Sequence, residues 1–264
     1  KLMAQFVANE ISSQKAREEK EKLIEQLKET NEQLEEFTFI ASHDLKTPIR
    51  GIHHYAQFLQ EDFKSELPDE AKVMIEGIKK LSSRMDNLVN EVLSYSKAQK
   101  ADLELKTFNL GDAIKTVKND IEGQPDIAIE ISVSKMPNLK ADISGIREAL
   151  FNFVTNSYKY NDSDHKTINF KFDQESKKLL ISDNGIGIAK ADRSKVFSFF
   201  KRVNGKNEYG GGTGAGLAIV KKILERHNIS IEIDSDLGKG TTFILDLNEV
   251  LIPSQTVNLQ SLPD

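Results

Sequence analysis

The first 62 residues carry an almost unbroken helical pattern, with Pro48 as the only proline and Gly51 as the only glycine. Apolar residues at Met3, Phe6, Ile24, Leu27, Leu34 and Ala41 fall in a heptad-like register. Between residues 10 and 20 that register meets Glu10, Ser13, Arg17 and Lys20. A coiled-coil seam needs apolar a and d positions, so it weakens or shifts there. The charged run from Lys15 to Lys28 reads as the solvated outside of a helical pair, which predicts a dimeric coiled coil over a lone exposed helix. Pro48 removes a backbone donor and predicts a kink. The pattern resumes through Ile52, Tyr55, Phe58 and Leu59, and FKSELPD at 63–69 is a turn signal. A second amphipathic helix, about Glu70 to Ala98, gathers Val73, Ile75, Ile78, Leu81, Met85, Leu88, Val92 and Leu93 on one side. Two antiparallel helices cannot bury both apolar faces alone. Two copies of the hairpin, joined in a four-helix bundle, can.

From about Leu105 the period changes. Phe108 to Leu110 predicts a short strand entering a helix, and IAIEISV (127–133) alternates as a strand does. A helix is expected from Asp142 to Tyr160, with Asp142 or Ser144 as its N-cap. TINFKF (167–172) and KLLISD (178–183) form a hairpin-like pair, followed by an irregular glycine-rich stretch at 189–213 with one short helical piece. A helix from Gly214 to His227 and strands at 229–235 and 241–247 complete the pattern, and LIPSQTVNLQSLPD reads as a tail. Helices mixed with largely antiparallel strands predict an α/β sandwich with helices over one sheet face.

Composition narrows the chemistry. The 264 residues are enough for two domains. A net charge of −5 argues against nucleic acid as the main partner, since phosphate backbones need a basic face. The chain has no cysteine, which removes disulfides, thiolate catalysis and thiolate-bound zinc and fits a reducing, cytoplasmic setting. No apolar run approaches the roughly 18 to 20 residues needed to span a bilayer. Lys1 stands inside a helical pattern, so the sequence is expected to be part of a longer protein.

SHDLKTPIRG (42–51) sets His43 beside Asp44, with Thr47 one turn on. A neutral imidazole is a competent nucleophile near neutral pH, and a neighbouring carboxylate can orient it. In EALFNFVTNSYKYN (148–161), Asn152 and Asn156 stand four apart on one helix face, with Lys159 three further on. Amide oxygens suit Mg²⁺, and a lysine can neutralise phosphate; a polar outer face is the plainer reading. DNGIGI (183–188) follows a strand, where Asp183 can accept from an adenine amine and the glycines admit a ligand; an ordinary Asp-Asn-Gly turn is the alternative. GGGTGAGLAIVKKIL (210–224) opens a helix on glycines, a phosphate-binding arrangement that lacks the Lys-Ser/Thr of a Walker loop. KVFSFFKR (195–202) reads as the anchor of a lid with Lys201 and Arg202 at its tip, or as core packing, the reading favoured for Phe197. GKGTTF (238–243) is a strand-joining turn that could face Thr242 to a nucleotide. His53, His54, His165 and His227 lack metal-ligand spacing and read as surface or packing residues.

In this order, SHDLKTP, NFVTNSYKY, DNGIG, VFSFFKR and GGTGAGLAI resemble the phospho-acceptor, N, first glycine, F and second glycine boxes of the sensor histidine kinases of two-component systems. The resemblance spans roughly residues 20 to 248, and FKRVNGKNEY is similar to the group that follows PAS, GAF or phytochrome sensors. It implies a sensor exit helix (1–20), a dimerisation and histidine phosphotransfer domain of the HisKA type (21–104), a catalytic domain with the Bergerat ATP-binding fold (105–248), and a tail (249–264). It further implies His43 as the phosphorylated residue, Asp44 as its orienting group, and Thr47 as the residue that places water when the enzyme acts as a phosphatase. Asn156 and Asn152 match Mg²⁺-site residues, Lys159 and Arg202 phosphate contacts, and Asp183 the adenine contact. Tyr160, Gly185, Gly187, Lys201, Gly212, Thr213, Gly214, Gly216, Leu217 and Thr242 complete the implied ATP site. The implied partners are a second copy, a response-regulator receiver domain on another chain, and an upstream sensor. The chain departs from the family at Ala215, commonly a larger apolar residue, and at Asn228 and Ile229, where two glycines are frequent. Clamp ATPases of the gyrase and MutL type share the fold but use a glutamate base one turn before the second asparagine, where this chain has Asn152.

Overall fold

The computed structural model describes residues 2–100, 103–122, 128–198 and 214–252, apart from the side chains of residues 2, 4–9, 11–13, 27, 28, 31, 32, 34–37, 39 and 97–100. The chain divides into two compact units, Lys1–Ser96 and Lys97–Asp264.

The first unit is a helical hairpin. Helix α1 spans Leu2–Asp62, about 90 Å at 1.5 Å per residue, and α2 spans Asp69–Lys100. Leu67 donates to the Phe63 carbonyl in the turn between them, and Pro68 stands one residue before α2. The expected kink does not interrupt α1: the helix is continuous through Pro48, although the missing N–H leaves the Asp44 carbonyl without its i+4 donor. The hairpin seam repeats every seven residues, with Ser42, Ile49 and Ala56 buried on α1 and Ile75, Ser82, Val89 and Ser96 buried on α2. Of the apolar α2 residues expected on one side, Ile75 is buried, whereas Val73, Ile78, Leu81 and Met85 are exposed. On α1, Leu45, Ile52 and Leu59, again seven apart, are 52%, 49% and 45% exposed. One hairpin therefore leaves an apolar stripe uncovered. Met3 and Ile24 of the expected coiled-coil register are exposed, and the side chains of Phe6, Leu27 and Leu34 lie outside the described residues.

The second unit is a layered α/β fold. Its elements are β1 (Leu105–Asn109), α3 (Leu110–Glu122), β2 (Glu130–Val133), β3 (Asn138–Asp142), α4 (Ile143–Lys159), β4 (Thr167–Asp173), β5 (Lys178–Asp183), α5 (Gly216–Arg226), β6 (Ile231–Ser235) and β7 (Thr241–Asp246). The main sheet has the order β2-β4-β5-β7-β6. Its pairs are antiparallel except β2 with β4, which run parallel. That pair is joined by a crossover containing α4, as a parallel connection requires. Alternation along β7 turns Thr241, Phe243 and Leu245 into the core. There the rings of Phe153 on α4 and Phe243 lie 4.9 Å apart, and Val154, Ile219 and Val220 are fully enclosed.

Two findings depart from the sequence reading. β3 was not anticipated; it pairs antiparallel with β1 in a separate two-stranded sheet. The expected tail begins later than predicted: Val250 is buried, the Lys140 N–H donates to its carbonyl at 2.8 Å, and the Ile252 N–H donates to Asn138 at 3.0 Å. Residues 250–252 thus extend the small sheet along β3.

Candidate active site

On α1, His43 and Asp44 are each 74% exposed, with Nδ1 of His43 3.2 Å from Oδ1 of Asp44. An ionised carboxylate only accepts, so Nδ1 carries the proton in this contact, and in a neutral ring the lone pair is then on Nε2. Thr47, four residues on, is exposed on the same side of the helix. His53 differs: it is half-buried against α2, with Nδ1 3.1 Å from the Ser82 hydroxyl.

In the second unit the predicted residues gather where α4, α5 and the ends of β5 and β7 meet. Asn152 donates from Nδ2 to the Glu148 carbonyl at 3.0 Å, which leaves Oδ1 as its free acceptor. A Cβ placed on Gly216, the first residue of α5, would lie 2.7 Å from that oxygen and 3.6 Å from Nδ2 of Asn156. Glycine at 216 therefore lets the start of α5 close on the asparagine pair. Ala215, the N-cap residue, is fully buried and makes no side-chain cap hydrogen bond. The first N–H groups of α5, those of Gly216 and Leu217 included, lack helical partners and suit an anion, reinforced by the helix dipole. Gly214 leads into this turn at φ +83°. Lys159 lies at the end of α4 with Nζ 5.2 Å from the ring centroid of Tyr160.

Asp183 ends β5. Its Oδ1 accepts from the N–H groups of Gly185 (2.8 Å) and Thr241 (3.2 Å), and Oδ2 accepts from the Ser157 hydroxyl at 3.3 Å. Burial raises its pKa above the ordinary carboxylate value, and these three hydrogen bonds oppose the shift. The loop after it is pinned from two directions. Asn184 accepts from Asn161 and from the Thr167 N–H and donates to the His165 carbonyl. Ile186 donates to the Tyr160 carbonyl at 3.0 Å, and Ile188 donates to the Ser235 hydroxyl at 2.8 Å. Gly187 has φ +72°, and a Cβ there would fall 2.0 Å from the Asp236 carbonyl oxygen, so no other residue fits.

Thr242 requires a correction. Its hydroxyl pairs with that of Ser182 at 2.9 Å, on the sheet face opposite the helices. Asp183 is reached instead by the backbone N–H of Thr241, one position earlier, whose hydroxyl turns inward and pairs with Ser235 at 3.1 Å. Phe197, expected in the core, is half-buried, with Nζ of Lys221 5.9 Å from its ring centroid. Lys201, Arg202, Gly212 and Thr213 lie outside the described residues. Ser157 was missed in the sequence, although a serine on the buried face of α4 among Leu150, Phe153 and Val154 signals a polar partner. Arg193 was missed too; it donates to the Ser235 carbonyl and pairs with Asp236 at 3.3 Å, tying the segment after the first glycine loop to the β6–β7 turn.

The donor chemistry is compatible with Mg²⁺ in one form. Among the described residues no group of three or more His, Asp or Glu side chains could hold a metal alone. The free amide oxygen of Asn152 and the side chain of Asn156 are hard or amphoteric ligands that would share an ion with substrate phosphates.

A histidine on an exposed helical hairpin, and a pinned Asp-Gly loop and a glycine-opened helix that both border α4, suit a phosphotransfer protein. Comparison with known proteins agrees. Residues 33–101 match the His Kinase A (phospho-acceptor) domain, and residues 141–251 match the histidine kinase-, DNA gyrase B- and HSP90-like ATPase family. The chain belongs to the sensor histidine kinases. It is 36% identical to cyanobacterial phytochrome B of Nostoc sp. over 85% of its own length and 31% of the relative's. It is 30% identical to the sensor histidine kinase YkoH of Bacillus subtilis over 84% of its length and 49% of the relative's. The chain thus spans less than half of either. The structure of full-length ShkA in complex with AMPPNP aligns over 82% of this chain and 46% of that one, with a TM-score of 0.61 at 22% identity, a likeness of fold. No helix among the described residues is long and apolar enough to cross a membrane.

Proposed function

We propose that the chain is the catalytic portion of a cytoplasmic sensor kinase that phosphorylates its own His43 from ATP and passes the phosphoryl group to an aspartate of a separate response regulator. The observation that carries this reading is the pairing of an exposed His43–Asp44 couple with the Asp183, Asn152 and Gly216 site in a chain of this family. Adenine would be read by Asp183, whose carboxylate accepts from the exocyclic amine. The uncapped start of α5 would take phosphate oxygens, with Lys159, Lys201 and Arg202 adding positive charge. Asn156 and Asn152 would hold Mg²⁺, which when bound neutralises phosphate charge.

Transfer depends on alignment and charge neutralisation more than on covalent chemistry by the protein. With Nδ1–H held by Asp44, Nε2 attacks the γ-phosphorus. The N–P bond forms, the bond to the β-bridging oxygen breaks, and ADP leaves. The carboxylate then stabilises the charge that develops on the ring. The reverse, phosphatase role would use Thr47 to place water.

The uncovered stripe of Leu45, Ile52 and Leu59 supports a homodimer through the helical bundle. Each such side chain stabilises the pair by about 1 kcal/mol if half its surface is newly buried. The input would come from a sensory module preceding residue 1, a position that phytochrome-type relatives make reasonable. Asp44→Asn tests the orienting role: label transfer to His43 should slow by about 100-fold, within the usual range for a lost acid–base partner, with ATP affinity unchanged. Loss of ATP binding in that variant would defeat this assignment.

A further inference from the structure

His227 is buried, and both ring nitrogens are engaged. Nδ1 lies 2.7 Å from the Ile223 carbonyl, which can only accept, and Nε2 takes the Asp142 N–H at 3.0 Å, which can only donate. The imidazole is therefore the neutral Nδ1–H tautomer, fixed by its two partners. Those partners belong to different helices. His227 closes α5, whose last turn ends in paired hydrogen bonds from Asn228 to Glu225 and from Ile229 to Leu224. Asn228 supplies the left-handed residue at φ 55° that this ending needs. Asp142 is the N-cap of α4, and its carboxylate accepts from the Ser144 N–H.

The N–H of an N-cap residue is commonly satisfied by a Glu or Gln at the third helical position. In α4 that position is Gly145, which has no side chain to offer. A Cβ at 145 would lie 3.4 Å from Ile223 and 3.8 Å from the His227 ring. Those are ordinary contact distances, so a small residue suffices to keep α5 this near the start of α4. The capping acceptor thus comes from the neighbouring helix.

We propose that His227 is a positioning residue that sets the register of α5 on α4 and so the separation of Gly216 from Asn152, on the reading above that this site binds ATP. The two helices run antiparallel. From Asp142 to Asn152 α4 rises about 15 Å, and from His227 back to Gly216 α5 rises about 16 Å. A link at one end fixes how the phosphate-facing turn meets the asparagine pair at the other. The approach at Gly216 is close, since a Cβ there would lie 2.7 Å from Oδ1 of Asn152.

The test uses the whole chain, with ATP and Mg²⁺ as the probe. Affinity is measured by calorimetry, melting is recorded for each variant, and the autophosphorylation rate is followed against ATP. His227→Phe keeps the ring and removes the acceptor. It is expected to raise the Kd and KM for ATP about tenfold, the effect of one buried hydrogen bond left unmade, with the rate at saturating ATP within about twofold of wild type. His227→Gln restores an acceptor to Asp142 and should recover most of the affinity. Gly145→Leu, which leaves His227 in place but wedges α5 from α4, should weaken ATP binding similarly and serves if His227→Phe fails to fold. Wild-type affinity in a folded His227→Phe chain, an equal loss in His227→Gln, or undiminished binding by Gly145→Leu overturns the proposal. Failure of the wild-type chain itself to bind ATP would instead overturn the functional reading beneath it.

Discussion

Replacing Gly216 with alanine places a methyl carbon 2.7 Å from Oδ1 of Asn152, about 0.7 Å inside ordinary contact. The obstacle is the end of a side chain, not backbone, so the fold can yield at modest cost. Asn152 must swing away and give up its hydrogen bond to Glu148, worth about 1 kcal/mol. Alanine in a helix regains up to about 1 kcal/mol over glycine. The two nearly cancel, and the melting temperature should stay within a few degrees of wild type. ATP binding has no such compensation, because the free amide oxygen and the first N–H groups of α5 both move. Losing one charge-assisted contact of about 1.5–3 kcal/mol corresponds to roughly a 10- to 100-fold rise in Kd. Titration with ATP and Mg²⁺ by calorimetry, beside a thermal melt, separates the two effects. Unchanged affinity would refute the claim that the closeness of Gly216 to Asn152 builds the phosphate site, and a large fall in melting temperature would show that the glycine serves the fold instead.

Asp183→Asn should abolish adenine-nucleotide binding without harming the fold at neutral pH. The folded pKa of Asp183 is raised, chiefly by burial, so its favourable contribution is complete below the unfolded value of about 4 and is lost as pH rises through the folded value. At pH 7 the ionised group is a net cost, and the asparagine variant should melt at the same temperature or higher. That advantage should vanish in acid, and a variant less stable than wild type at pH 7 would contradict the argument. Ile52→Glu, on the uncovered stripe of α1, should convert a dimer to monomers in sedimentation, and an unchanged dimer would place the interface elsewhere.

The helices and most strands were legible because their periods differ and their apolar residues are regularly spaced. β3 was not, since Asn138–Asp142 is short, follows Pro137 and runs straight into an N-cap; its partner, β1, lies about thirty residues earlier. The parallel β2–β4 pair is likewise a long-range event that local alternation cannot register. The apolar side expected on α2 is only partly covered within one hairpin, as the two-copy reading requires. What residue type did not reveal is the seam within the hairpin, where Ser82 and Ser96 are buried while Leu81 and Met85 face outward. In the site, Asn152, Asp183 and Gly216 carried their own chemical signals. The outward turn of Thr242 was hidden, since two adjacent threonines do not reveal which one strand alternation turns inward. His227 looked like packing in the sequence because its partner, the Asp142 N–H, is 85 residues away.

The account turns on His43 as the acceptor of the γ-phosphoryl group. The most direct measurement incubates the chain with γ-labelled ATP and Mg²⁺ beside His43→Gln and tests the label's stability in acid and alkali. The account predicts acid-labile, alkali-stable label on the wild-type chain and none on His43→Gln. Label that survives acid, or persists in His43→Gln, would contradict it.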